Sequence, residues 1–207
     1  MMPGEIAGLV LAAGESSRMG TDKALLPFRG STFLEVILRN LRAAGIDRRV
    51  VVLGHHAEEI KRRTNLAGAG VVLNPSYREG QTSSLQTGLR ALQAPKPEAV
   101  LLCLVDHPAV GAEVMKRLCA GFFNSRAPVV IPVFQGRRGH PVLISRLLFR
   151  KLLDLKAGEG ANGVIREYFD TACWVKTQDP AILMDIDEAG DYEQLSGKER
   201  QRDPTTR

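Results

Sequence analysis

The segment Leu11-Ala12-Ala13-Gly14-Glu15-Ser16-Ser17-Arg18-Met19-Gly20, with Lys23 three residues on, combines small residues and fixed positive charge directly after an apolar run. Small residues let a backbone pass close to a ligand, and successive N–H groups in a tight loop can form an anion-binding nest. Arg18 and Lys23 add cationic side chains to the same loop, so the chemistry it suits is the holding of a polyphosphate. Two familiar glycine loops are excluded. A Walker A loop needs Lys and then Ser or Thr directly after its last glycine, whereas Gly20 is followed by Thr21, Asp22 and Lys23. A dinucleotide fingerprint needs G-x-G-x-x-G, and Gly14 has no glycine two positions later, which weakens a dinucleotide-dependent oxidoreductase as a reading.

Carboxylates supply the second half of such chemistry. Asp106 ends the apolar run 99–105, and Pro108 stops pairing just after it, so a hard oxygen ligand suited to Mg2+ stands where a strand should end. Asp185 and Asp187 share one face if their segment is extended, and they could complete a metal site. Among the histidines, His55 and His56 read as turn or solvent residues after a predicted strand, and His107 lies between Asp106 and Pro108. His140, in Gly139-His140-Pro141, is the better candidate for touching an acceptor. No His pair has the i, i+4 spacing of a metal site.

These residues need a scaffold that brings distant segments to one edge. Short runs rich in Val, Ile and Leu at 6–12, 50–53, 71–73, 99–105, 129–133, 142–144 and 182–186 predict strands covered on both faces. Between the first two, Leu34, Ile37, Leu38 and Leu41 fall at helical spacing, Thr32 and Glu35 have capping-box spacing, and Gly45 supplies a stop. Further helices are expected at 57–63, 83–92, 111–123, 145–155 and 162–169, with 93–98 as a surface loop. Alternating strands and helices give an α/β chain with a largely parallel sheet, whose ligands gather at the carboxyl ends of the strands.

Bulk properties bound the reading. A chain of 207 residues fits a single domain over residues 1–196, with the polar end 197–207 expected as a disordered tail. The formal charge of +5 is modest and partly sits in that tail, so no nucleic-acid partner is expected. Cys103, Cys119 and Cys173 are odd in number and form no C-x-x-C pair, which argues against a disulfide framework and for a reducing cytoplasm. No apolar run approaches the roughly 18 residues of a membrane span, and the start is too short for a signal region.

The opening loop resembles the nucleotidyltransferases of the MobA and IspD type, which carry L-A-[AG]-G-x-S-x-R-[MF]-G-x-x-K at their start. The resemblance extends to Asn74-Pro75 with Gly80, Ser84, Gly88 and Leu89, to Asp106-x-Pro108, to Gly139-His140-Pro141-Val142 and to Asp185-Ile186-Asp187-x(3)-Asp191-Tyr192, in the family's order. It implies a three-layer α/β/α, Rossmann-like glycosyltransferase-A fold with a mainly parallel mixed sheet. It also implies Mg2+-dependent transfer of a nucleoside monophosphate to a phosphorylated acceptor. Leu11, Ala12, Ala13, Gly14, Arg18, Lys23, Gly80 and Ser84 would bind the nucleotide. Lys23, Arg18 and Asp106 would be catalytic, and Asp106 with Asp187 or Asp185, Asp187 preferred, would hold the metal.

Within that group the chain resembles in particular the molybdenum cofactor cytidylyltransferases, which implies CTP as donor and Mo-molybdopterin as acceptor, with a molybdoenzyme or its maturation chaperone as recipient. GTP-using members tend to have Leu-Ala-Gly-Gly where this chain has Leu11-Ala12-Ala13-Gly14. The Ala13 methyl would narrow the space near the base and favour a pyrimidine. Gln81, Thr82 and the 160–163 segment depart from the molybdopterin-type pattern where the acceptor should sit. The alternatives are a sugar, polyol or amino-alcohol phosphate as acceptor, or a non-catalytic nucleotide-binding maturation factor.

Overall fold

A computed structural model of the protein describes residues 5–16 and 19–202. In chain order its elements are β1 (Ile6–Ala12), β2 (Pro27–Phe28), β3 (Ser31–Thr32), α1 (Phe33–Ala43), β4 (Arg49–Leu53), α2 (Ala57–Arg63), β5 (Gly70–Leu73), α3 (Gln81–Ala91), β6 (Ala99–Leu104), α4 (Ala112–Ser125), β7 (Val129–Phe134), β8 (Arg137–Arg138), β9 (Val142–Ser145), α5 (Phe149–Leu153), α6 (Ala161–Arg166), β10 (Cys173–Lys176) and α7 (Ala189–Arg202). The main sheet has the order β10-β7-β9-β6-β1-β4-β5, with β8 paired to β7. Strand β1 is parallel to both neighbours, β4 and β6, whereas β9 runs antiparallel between β6 and β7.

Alternation along β1 explains the three layers. Ile6, Val10 and Ala12 belong to one core with Leu34 and Leu38 of α1 and Leu118 and Phe122 of α4. Ala7, Leu9 and Leu11 point the other way, into a core with Leu85 and Leu89 of α3 and Phe149 and Leu152 of α5. A strand covered on both faces has no polar face, which is why β1 reads as one unbroken apolar run with all seven residues buried. Helix α1 starts as expected: Thr32 Oγ1 accepts from Glu35 N at 3.3 Å, and Thr32 N donates to Glu35 Oε2 at 2.9 Å.

One predicted strand does not form. Residues 182–186 begin in a 3-10 turn, Pro180–Leu183, where Asp179 accepts from Ala181 N and Pro180 opens the turn, and they continue as loop. Ile182 and Ile186 are buried all the same, so the apolar pattern reports burial and not extension. The edge strand β10 escaped prediction because it has only four residues, alternately half-buried and exposed. The helix expected at 145–155 is shortened to α5 by a 3-10 turn, Arg146–Leu148, that starts on the Ser145 side chain. Helix α7 continues past residue 197 to Arg202.

Candidate active site

The carboxyl ends of β1, β4, β5 and β6 meet at one rim of the sheet, and backbone bonds lock them together. Val105 N donates to Leu11 O at 3.1 Å, His55 N to Ala13 O at 3.1 Å, and Asn74 N to Leu53 O at 2.7 Å. Gly54 is required at this junction, because a Cβ there would lie 2.8 Å from Ala13 O and 2.7 Å from Tyr77 Cβ. A cavity of about 260 Å³ opens on the rim, lined by Leu11, Ala12, Ala13 and Gly14 from the loop after β1, by Lys23, by Gly80, Gln81 and Ser84, and by Asp106. Eight sequence-derived candidates thus share one cavity. Ser17 and Arg18 lie outside the described residues.

Lys23 is held from both ends. Its N–H donates to Ser16 Oγ at 3.1 Å, closing the loop on itself. Its ammonium lies 2.6 Å from Asp187 Oδ1 and 3.8 Å from Asp106 Oδ2, with only 12% of the side chain exposed. Burial raises the Asp106 carboxyl above the ordinary carboxylate range; the Lys23 charge opposes that shift and Asp187 adds to it. Asp106 Oδ1 is buried and has no hydrogen-bond partner among the described residues. A buried carboxylate oxygen without a donor, beside a second carboxylate, suits a hard divalent cation, so the residues present fit a metal of the magnesium class.

The motif around Asp187 is explained by its contacts. Ile186 N donates to Asp106 O at 2.9 Å, and the Asp191 carboxylate accepts from the amides of Asp187 and Glu188 at 3.1 and 2.9 Å. The Tyr192 hydroxyl donates to Pro27 O at 2.9 Å. Asp185 and Asp187 do not act as a same-face strand pair: Asp187 turns to Lys23, whereas Asp185 is exposed and its charge is felt by His107 and His140.

The other cavity wall depends on Asn74, which the sequence reading named as a motif residue without a task. It is buried, donates from Nδ2 to Ser83 Oγ and Ser84 Oγ at 2.9 Å each, and accepts from Ser76 N at 3.0 Å. Gly80 turns the chain into α3 at φ 100° and ψ −179°, a conformation that side chains resist. Tyr77, which had no sequence signal of its own, also lines the cavity, and so does Gln81, which the sequence singled out only as a departure on the acceptor side. His140 sits apart from the cavity, its ring 4.9 Å from that of His107 beside Cys103, Val110 and Met115. Burial lowers both histidines to about 4.

A rim that offers a glycine loop, a tethered ammonium and neighbouring carboxylates to one cavity is the arrangement that nucleotidyl transfer asks for. The chain belongs to the MobA-like NTP transferase domain family, whose model matches residues 8–172. It is therefore a nucleotidyltransferase of the MobA family. The molybdenum cofactor cytidylyltransferase of Escherichia coli is 25% identical over 195 residues, covering 93% of this chain and 95% of that one. Nicotine blue oxidoreductase of Paenarthrobacter nicotinovorans is 31% identical over 174 residues, covering 78% and 82%. The solved structure of Rv0371c from Mycobacterium tuberculosis superposes with a TM-score of 0.84 at 29% identity, covering 94% of this chain and 98% of that chain. The same mycobacterial protein has also been solved in complex with manganese.

Proposed function

We propose that the protein transfers CMP from CTP to a phosphorylated acceptor, Mo-molybdopterin, forming the cytosine dinucleotide and releasing pyrophosphate. The observation that carries this reading is the Lys23 ammonium, poised between Asp187 and Asp106 at the lip of the glycine-loop cavity. The backbone amides of Ala13 and Gly14, with Arg18 and Lys23, cradle the triphosphate. Gly80 and Ser84 hold ribose and base. Asp106 and Asp187 would hold Mg2+, with Asp185 as the exposed alternative, and that ion would supply positive charge to offset the charge on the reacting phosphate.

An acceptor phosphate oxygen attacks the α-phosphorus in line. The bond from phosphorus to the bridging oxygen breaks, and pyrophosphate leaves with the electron pair. A phosphate monoester has its second pKa at about 6, so at neutral pH the attacking oxygen carries no proton and no protein base is needed. Lys23 and Arg18 neutralise the charge that builds on the departing group. The acceptor approaches past Asp106 towards His140. A molybdoenzyme or its chaperone takes the product in the cytoplasm, a compartment that suits the free thiols Cys103, Cys119 and Cys173.

The Paenarthrobacter relative, an oxidoreductase by name, brings a second chemistry to test, and a dinucleotide-dependent oxidation or reduction is its simplest form. The loop lacks the G-x-G-x-x-G fingerprint while offering Lys23 and two carboxylates, which favours transfer. Pyrophosphate release is measured with CTP, GTP and ATP, with and without Mg2+ and molybdopterin, beside consumption of NADH and NADPH. Metal-dependent release greatest with CTP is expected, and Ala13→Gly should raise the share of GTP. Best turnover with GTP refutes the base assignment, sugar or polyol phosphates outperforming molybdopterin refutes the acceptor, and dinucleotide oxidation without pyrophosphate release refutes the transfer itself.

A further inference from the structure

Beside the cavity lies a cluster of metal-ligating side chains that the transfer does not use. Asp22 immediately precedes Lys23, and its side chain is only 6% exposed. His55 and His56 follow β4 on the turn into α2. His56 Nδ1 is 2.8 Å from Asp22 Oδ2, His55 Nδ1 is 3.5 Å from Asp22 Oδ1, and the two imidazole rings lie 3.6 Å apart. One ligand atom from each of the three residues lies within 4.8 Å of the other two. The cluster opens onto a pocket of about 320 Å³ bordered by Gly20, Glu59 and Arg63.

Two features make this more than a carboxylate beside two rings. His56 adopts φ 47°, a left-handed conformation that costs a non-glycine residue about 1–3 kcal/mol. It does so at the N-cap of α2 without capping the helix, its ring turned instead to Asp22. The spacing also fits a metal: ligands held tetrahedrally at about 2.0–2.1 Å lie roughly 3.4 Å from one another, close to the separations already present.

We propose that Asp22, His55 and His56 form a binding site for a transition-metal ion of the zinc class, distinct from the Asp106–Asp187 pair. Two imidazole nitrogens and one carboxylate oxygen select a borderline ion, whereas oxygen-only carboxylates select a hard one, so the two sites sort different metals. Three protein ligands leave a fourth position for water. The bound ion fastens the loop that carries Lys23 to the β4–α2 turn, two segments that also meet through the Ala13–His55 backbone bond. Asp22 lines the nucleotide cavity as well, so the ion borders the triphosphate pocket.

Zn2+ is titrated into the full chain against a chromophoric chelator in saturating Mg2+, Co2+ is followed by its visible ligand-field absorption, and melting is recorded with and without Zn2+. The wild type should bind one Zn2+ that raises its melting temperature and give the intense spectrum of four-coordinate Co2+. His55→Gln and His56→Gln, both at partly exposed side chains, should melt like the wild type without metal and lose at least about 10–100-fold in Zn2+ affinity. Asp106→Asn should bind Zn2+ as the wild type does. The assignment is overturned if the wild type takes up no stoichiometric Zn2+, if both histidine variants bind unchanged, or if Asp106→Asn abolishes the binding.

Discussion

Lys23 Nζ and Asp187 Oδ1 meet at 2.6 Å although 164 residues separate them in sequence. The contact joins the first strand's loop to the segment before α7, so each end of the chain holds part of the same charge. Lys23→Ala should lower kcat by about 10²–10³-fold, the scale for removing one preorganised group that meets developing charge. A cooperative melt near the wild-type temperature should persist. Pyrophosphate release and calorimetry check this, and an unchanged kcat would show that the ammonium serves only the fold.

Asp191 positions Asp187 through two backbone amides without reaching the cavity. Asp191→Ala should therefore weaken the apparent affinity for Mg2+ by more than it lowers kcat at saturating metal. Metal titrations of the rate distinguish this split from general destabilisation, which would lower both together.

Asn74 bridges the end of β5 to the first turn of α3. Asn74→Ala strips Ser84 Oγ of its buried partner, so a stability loss of about 1–3 kcal/mol is expected, together with a raised KM for nucleotide. Urea denaturation and initial rates measure the two effects.

Gly54→Ala would push a methyl against Ala13 O and Tyr77. Overpacking of this kind costs about 1–3 kcal/mol, and here the carbonyl that must shift belongs to the glycine loop proposed to bind the nucleotide. A raised KM should accompany the lower melting temperature.

Glu35 makes the pH dependence of stability testable. Burial pushes its carboxyl up, but hydrogen bonds from Ser31, from the Asn65 and Thr32 amides and from the Thr32 hydroxyl outweigh it and hold the group at about 2. A carboxyl depressed on folding stabilises above its unfolded pKa of about 4.3, and the contribution fades as pH falls towards about 2. Glu35→Gln should thus melt below the wild type at pH 7, with the gap narrowing across that window. Melts from pH 7 to 2 read it directly, and a gap constant with pH would mean that the carboxylate's charge plays no part.

Most of this architecture is legible in the residues because burial on both faces writes itself as apolar runs in β1, β4 and β6, and burial on one face as helical spacing in α1. The rule fails where burial and extension part company. Ile182 and Ile186 are core residues carried by a turn and a loop, so the same pattern that finds β1 misreads them. The glycine loop, Lys23 and Asp106 were readable as site candidates because each breaks the local pattern of the strand it follows. Tyr77 and the Asp22–His55–His56 group were not, since their significance depends on contacts between the β1 loop and the ends of β4 and β5 that no spacing in the chain encodes.

The reversed strand β9 pairs Val142 with Leu102 near the end of β6, so Gly139 and His140 emerge at the rim where the parallel strands finish. Every residue lining the main cavity falls between 11 and 106, before that reversal. A chimera that takes residues 107–180 from a homologue that modifies another molecule, but keeps 181–195 with the Asp187 partner of Lys23, could therefore inherit a new recognition surface while leaving this cavity and its ion pair whole. Diversification by grafting is a property of where the sheet changes direction.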